Sequence, residues 1–207
     1  MPLIRKPTDP AVRAGVPDLE AAKAALRSPD ANSRWSAARA LAAFPEAVAA
    51  LGEASLAEPD ARVREAMFTS LARIGAAQSV AMLVAHVRSD DAERRTGALD
   101  ALKAMPQALS GALPGLLKDR DPDVRLLACD LVRDLPSAEA TALLSEVLDS
   151  EREVNVCAAA VDVIADVGSP EALTALRRCA ERMADPFLDF AIGIACDRIG
   201  EQAPDRG

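Results

Sequence analysis

The stretch Asp60-Ala61-Arg62-Val63-Arg64-Glu65-Ala66-Met67-Phe68-Thr69-Ser70-Leu71-Ala72-Arg73-Ile74-Gly75 decides how this chain folds. Asp60 is suited to an N-cap, because its carboxylate can accept from the orphan N–H groups of the first helical turn. Gly75 can take the left-handed conformation that closes a helix. Between them Val63, Met67, Phe68, Leu71 and Ile74 fall at helical spacing, so one face is apolar. Alone this predicts an ordinary amphipathic helix, but the pattern recurs along the whole chain.

The capping acid returns as Asp30, Asp60, Asp91, Asp121, Glu153 and Asp185, at intervals of 30, 31, 30, 32 and 32 residues. Helix-stop residues keep the same beat at Pro45, Gly75, Pro106, Pro136, Gly168 and Gly200. Arg34, Arg64, Arg95 and Arg125 each stand four residues after their acid, whereas Cys157 and Asp189 hold that slot in the last two units. Self-similarity at this period predicts an all-α solenoid of about six helical hairpins. The hairpins are expected at about 18–45, 46–75, 76–106, 107–136, 137–168 and 169–200.

Composition agrees. Half of the 207 residues are apolar and 27% are charged, so the chain can bury a core. Aromatic residues make up only 2%, so the core is built from small side chains that let helices approach closely. A formal net charge of −8 disfavours bulk attraction to nucleic acid or to an anionic membrane. No apolar run approaches a membrane span, and the first residues lack the apolar core of a secretory signal. A cytoplasmic monomer is expected. Cys129, Cys157, Cys179 and Cys196 form no CxxC pair, and the single histidine, His86, has no companion at ligand spacing. Neither a zinc site, a bound cofactor nor a disulfide framework is expected.

Residues 1–17 carry Pro2, Pro7, Pro10 and Pro17 with Arg5, Lys6 and Arg13 against Asp9, which blocks a long helix. This arm is read as a frayed terminus, with a basic docking segment or a cover over the first repeat as alternatives. Pro114-Gly115 should bend or shorten the first helix of the fourth hairpin, and Gly97 should weaken the second helix of the third. Residues 201–207 are expected to form a mobile polar tail.

The units Glu58-Pro59-Asp60-Ala61-Arg62-Val63-Arg64-Glu65-Ala66 and Asp119-Arg120-Asp121-Pro122-Asp123-Val124-Arg125-Leu126-Leu127-Ala128 resemble HEAT-like repeats, as does the closing Arg73-Ile74-Gly75. They are most similar to the short bacterial variety associated with phycobilisome lyases. The resemblance covers about residues 18–200 and implies a right-handed superhelix with second helices lining its concave side. Such repeats serve scaffolds, lyase subunits and nucleic-acid enzymes, so the fold alone names no activity.

Two sets of residues carry the functional reading. Asp30/Arg34, Asp60/Arg64, Asp91/Arg95 and Asp121/Arg125 are expected to form a structural ladder, each guanidinium reaching the cap acid or turn carbonyls of a neighbouring repeat. The alternative is a row of anion sites near helix N-termini. The second set lies on the helix side turned away from the core. Asp100, Asp130, Asp134, Asp162 and Asp166 should line up as an acidic ridge on the concave surface, its carboxylates weakly repelling one another. Trp35, Leu126 and Phe190 share a column beside it, and Leu126 with Leu127 could supply an apolar anchor. A solvated acidic face is the bland alternative.

Three function classes follow. The first is a non-catalytic scaffold or adaptor holding a protein partner, with a basic segment laid along the ridge. The second is a bilin-type lyase or accessory subunit, implied by the resemblance alone and without a Ser/His/Asp set, Gly-rich phosphate loop, metal cluster or tyrosine behind it. The third is a DNA glycosylase of HEAT-like type, which an acidic groove with one tryptophan opposes.

Overall fold

The computed structural model describes residues 18–202. The expectations for the arm 1–17 and for residues 203–207 fall outside the described residues.

Thirteen α-helices and three short 3-10 turns make up the described residues, with no strand among them. The first hairpin pairs α1 (Leu19–Ala25) with α2 (Ala31–Leu41), and the second pairs α3 (Val48–Ala57) with α4 (Ala61–Ile74). The third is α5 (Ala77–Val87) with α6 (Ala92–Lys103). In the fourth, the first helix is broken into α7 (Pro106–Ser110) and α8 (Leu113–Leu116) ahead of α9 (Pro122–Leu131), as Pro114-Gly115 requires. The fifth and sixth are α10 (Ser137–Ser150) with α11 (Val154–Val167), and α12 (Leu173–Met183) with α13 (Pro186–Gln202). Helix α13 runs past Gly200, so the expected stop there does not operate and the tail does not begin at residue 201.

Stacking puts the helices in two layers. Second helices pack on second helices along α2, α4 and α6, and again along α9, α11 and α13; first helices do so along α3 with α5 and α10 with α12. One continuous core results, from Ala22 to Ile199, with Leu41, Leu71, Leu102, Cys129, Ile164 and Ala195 fully buried along it. The apolar face read from the sequence is the face buried here.

Local chemistry sets the helix ends. Asp30, Asp60, Asp91 and Asp121 each accept from a backbone N–H of their own first turn, and Asp185 accepts from Phe187 and Leu188. Gly75 closes α4 at φ 65°, the left-handed conformation expected of it. The prolines act differently from expectation. Pro106 begins α7 and Pro45 begins a 3-10 turn, while α2 already ends at Leu41. A proline at the first helical position loses nothing, since its missing N–H would be unpaired there anyway.

The arginine ladder exists but its partners differ from those expected. Arg34 donates Nη1–H to the Ser28 carbonyl at 2.9 Å, Arg64 to that of Glu58 at 3.1 Å, Arg95 to that of Ser89 at 2.6 Å and Arg125 to that of Asp119 at 2.8 Å. Each guanidinium therefore ties down the turn of its own repeat. The carboxylate it reaches in the next repeat stands two residues before the N-cap acid: Arg34 forks onto Glu58 at 2.8 and 2.9 Å, and Arg125 onto Glu151 at 2.6 and 3.1 Å. The cap acids accept from the first turns of their own helices instead. The same column of Ser28, Glu58, Ser89, Asp119 and Glu151 accepts the backbone N–H of the following cap residue. Its two-residue offset from the cap acid was the signal in the sequence.

Cys157 stands in the arginine slot of repeat five. The turn there is held instead by Arg182, which enters from α12 and donates to the carbonyls of Leu148, Asp149 and Glu151 at 2.6, 3.1 and 2.9 Å. Substitution of the slot residue is thus matched by an arginine arriving from the other layer.

Candidate functional site

Stacking consumes the core faces of the second helices and leaves their opposite face open. Three zones follow one another along that face.

At repeats one and two the face is aromatic and basic. Trp35, one turn before Arg39 on α2, carries two guanidinium groups over its ring, Arg39 at 4.6 Å and Arg62 at 5.5 Å from the ring centre. Arg62 also donates Nη2–H to Asn32 Oδ1 at 2.7 Å. Trp35, Arg39, Arg62, Glu65, Thr69 and Arg73 line a crevice of about 280 Å³.

A groove of about 740 Å³ opens between α4 and α6. Its walls are small, including Ala61, Ala72, Ala92, Ala101 and Ala104, and Glu65, Arg73 and Asp100 are among its polar lining. Gly97 explains its depth: a Cβ there would meet the Phe68 ring at 3.3 Å, so glycine lets the ring form the floor. The residue read as a weak point of α6 is what shapes the groove. Behind the floor, Phe68 packs edge-on to His86 with ring centroids 4.6 Å apart. Buried His86 shares a 2.8 Å hydrogen bond with Ser55, whose hydroxyl donates to the Gly52 carbonyl. Burial, with the positive charges of Arg94 and Arg64, brings its pKa down to about 4.

The third zone holds the acidic column. Asp100, Asp134, Asp162 and Asp166 are exposed and Asp130 is half-buried. Expected mutual repulsion does not describe them, because cations from the same helices are interleaved. Lys103 donates to Asp130 at 2.8 Å; Arg133 bridges Asp130, Asp162 and Asp166; and Arg198 donates to Asp166 at 3.1 Å. Hydrogen bonding from Lys103, then from Arg133, holds the Asp130 carboxyl below the usual carboxylate range although partial burial opposes it. Lys103 and Arg133 share one helix position in successive repeats, eight residues after the arginine slot; that column was legible in the sequence. Among the described residues Asp100 and Asp134 have no ion pair.

Leu126 and Leu127 are half-buried and line a crevice of about 360 Å³ with Arg88, Arg95, Asp121 and Asp123 at the seam between repeats three and four. Phe190 belongs to a larger apolar stripe: Phe187 is 72% exposed, Phe190 68% and Ile194 41% on one side of α13. Phe187 and Ile194 were missed as candidates, though their spacing of three and four residues from Phe190 places them on its face. Two buried thiols, Cys157 and Cys179, lie on the neighbouring helices α11 and α12; interaction with Cys157, aided by Arg182, holds the Cys179 thiol below its ordinary value.

Two layers of stacked helical hairpins with one open helix face define a helical-repeat solenoid. The family model of HEAT repeats matches residues 19–103 and 109–195. The chain belongs to the HEAT-repeat family. No curated protein matches it. Similar solved structures include an engineered protein at 19% identity, with 88% of this chain and 96% of that one covered and a TM-score of 0.42. The complex of CpcE and CpcF of phycocyanin lyase from Nostoc sp. PCC7120 is 18% identical, with 96% and 100% covered and a TM-score of 0.41. A designed armadillo repeat protein is 19% identical, with 88% and 100% covered and a TM-score of 0.39.

Proposed function

We propose that this chain is a non-catalytic scaffold that holds a protein partner on the open face of its second helices. One observation carries the reading: that face contains a groove of about 740 Å³ floored by Phe68, shaped to accept an apolar side chain. Apolar surface of this kind is stabilised when a partner covers it. The acidic column sets the chemistry of the adjoining segment. Asp130, Asp162 and Asp166 are already satisfied by Lys103, Arg133 and Arg198, so the carboxylates open to a partner's lysine or arginine are Asp100 and Asp134. A segment with an apolar anchor followed by basic residues fits groove and column together.

The test uses a fluorescently labelled lysine-rich peptide and reads its anisotropy. Wild-type protein should bind it with an affinity that falls as salt rises. Asp100→Lys with Asp134→Lys should abolish binding and leave the helical spectrum unchanged, since neither change breaks an internal pair. Equal affinity of the doubly reversed protein overturns the basic-segment reading.

A further inference from the structure

The acidic column accounts for one end of the open face only. At the other end three arginines, Arg39, Arg62 and Arg73, line one crevice with Trp35, and Glu65 is the one carboxylate lining it. We propose that Arg39, Arg62 and Arg73 form a receptor for the carboxylates of an acidic segment of the partner protein. The inference deepens the scaffold reading and rests on it: the partner segment is bipolar, acidic over repeats one and two and basic over repeats three to five.

The geometry supports this in three steps. Attraction to the π-system of the Trp35 ring draws two guanidinium groups over it without requiring a hydrogen-bond acceptor for their N–H groups. Arg39 makes no hydrogen bond or ion pair among the described residues, and Arg62 uses Nη2 alone, on Asn32. Most of their donors therefore remain free for paired hydrogen bonds to a carboxylate. Arg73, exposed and without an ion pair among the described residues, lines both the crevice and the groove. Glu65 and Thr69 are shared by the two as well, so crevice and groove form one continuous surface. A carboxylate bound by the arginines lies next to an apolar side chain seated over Phe68.

Charge complementarity selects the occupant. A long polyanion such as nucleic acid would run from the arginines onto Asp100 and the acidic column, where like charges oppose it. A short run of Asp or Glu side chains ending before the groove meets the arginines alone.

Trp35 is the only tryptophan and the chain has no tyrosine, so intrinsic fluorescence reports on this site directly. Titration of the full chain with a short glutamate-rich peptide should change Trp35 emission to saturation and weaken with salt. Arg39→Gln with Arg73→Gln should lower the affinity at least about tenfold, the loss of one or more charge-assisted contacts. Circular dichroism and the unfolding midpoint establish that the variant is folded; if it is not, Arg39→Lys with Arg73→Lys keeps the charge and should still bind, more weakly than wild type. No saturable change, or equal affinity in the folded glutamine variant, overturns the receptor. An equal response to inorganic phosphate makes the crevice a phosphate site and overturns the acidic-peptide assignment. Emission that changes with protein concentration alone places a second copy there and also overturns it. The lysine-rich peptide binds at Asp100 and Asp134, so its binding continues when the receptor fails, and its own failure sinks only the basic-segment reading.

Discussion

At the scale of single residues, the strongest device is the guanidinium that joins two turns. Arg34 and Glu58 lie largely out of water, the Glu58 side chain only 3% exposed. Burial alone would raise the Glu58 carboxyl; the Arg34 guanidinium and the Asp60 N–H outweigh it and hold it below the usual carboxylate range. Removing one partner leaves the half-buried Arg34 charge without its carboxylate, so Glu58→Gln should lower the midpoint of chemical denaturation. His86 gives a second prediction, with the opposite chemistry. It is buried neutral, its pKa about 4 in the fold against 6.5 when free. The unfolded chain therefore binds the extra proton between those values, and stability present above pH 6.5 is lost as pH falls toward 4. The loss should reach about 2–3 kcal/mol by pH 4.5, before most carboxylates titrate, and His86→Gln should remove that slope.

At the scale of helices, burial and bracing separate cleanly. Leu71 is fully enclosed between α4 and its neighbours, so Leu71→Ala should destabilise by about 2–5 kcal/mol. An unchanged unfolding midpoint would contradict the packing of that face. Arg182 braces by hydrogen bonding: it donates to three carbonyls at the C-terminal end of α10, those of Leu148, Asp149 and the C-cap Glu151. Arg182→Ala should cost about 1–3 kcal/mol, and amide exchange should quicken at the start of α11 while α2 and α4 stay protected.

Over the whole molecule, each repeat touches its neighbours and little else, so stability should be close to a sum of local terms. Leu71 in repeat two and Ile164 in repeat five share no contacts that would couple their cavities. The double variant Leu71→Ala, Ile164→Ala should lose the sum of the single losses to within about 0.5 kcal/mol. A larger discrepancy in denaturant titrations would show coupling through the length of the stack. The open face is likewise a property of the whole: its basic, grooved and acidic zones are each built from more than one repeat and exist only because the repeats stack in register.

Most of the fold was determined by the sequence, because a repeat writes each local rule several times. Asp60 and its counterparts, the stripe from Val63 to Ile74, and Gly75 specify a helix with both its ends, and the period specifies a stack. The site was legible in part: helix position put Trp35, Asp100, Asp130, Asp162 and Phe190 on the outward side. What surrounds each of them was decided by tertiary structure. Arg34 had several oxygens within reach of its length, and only the placement of the next turn selected Glu58 over the cap acids. Lys103 and Arg133 are ordinary charges on their own helices; the spacing between stacked helices sets them against Asp130, Asp162 and Asp166. Gly97 looked like a flaw in α6 until Phe68 of the neighbouring helix came to rest beneath it. Hydrophobic period and capping act within one helix and are written in adjacent residues. Ion pairs and grooves depend on distances between helices that packing alone fixes.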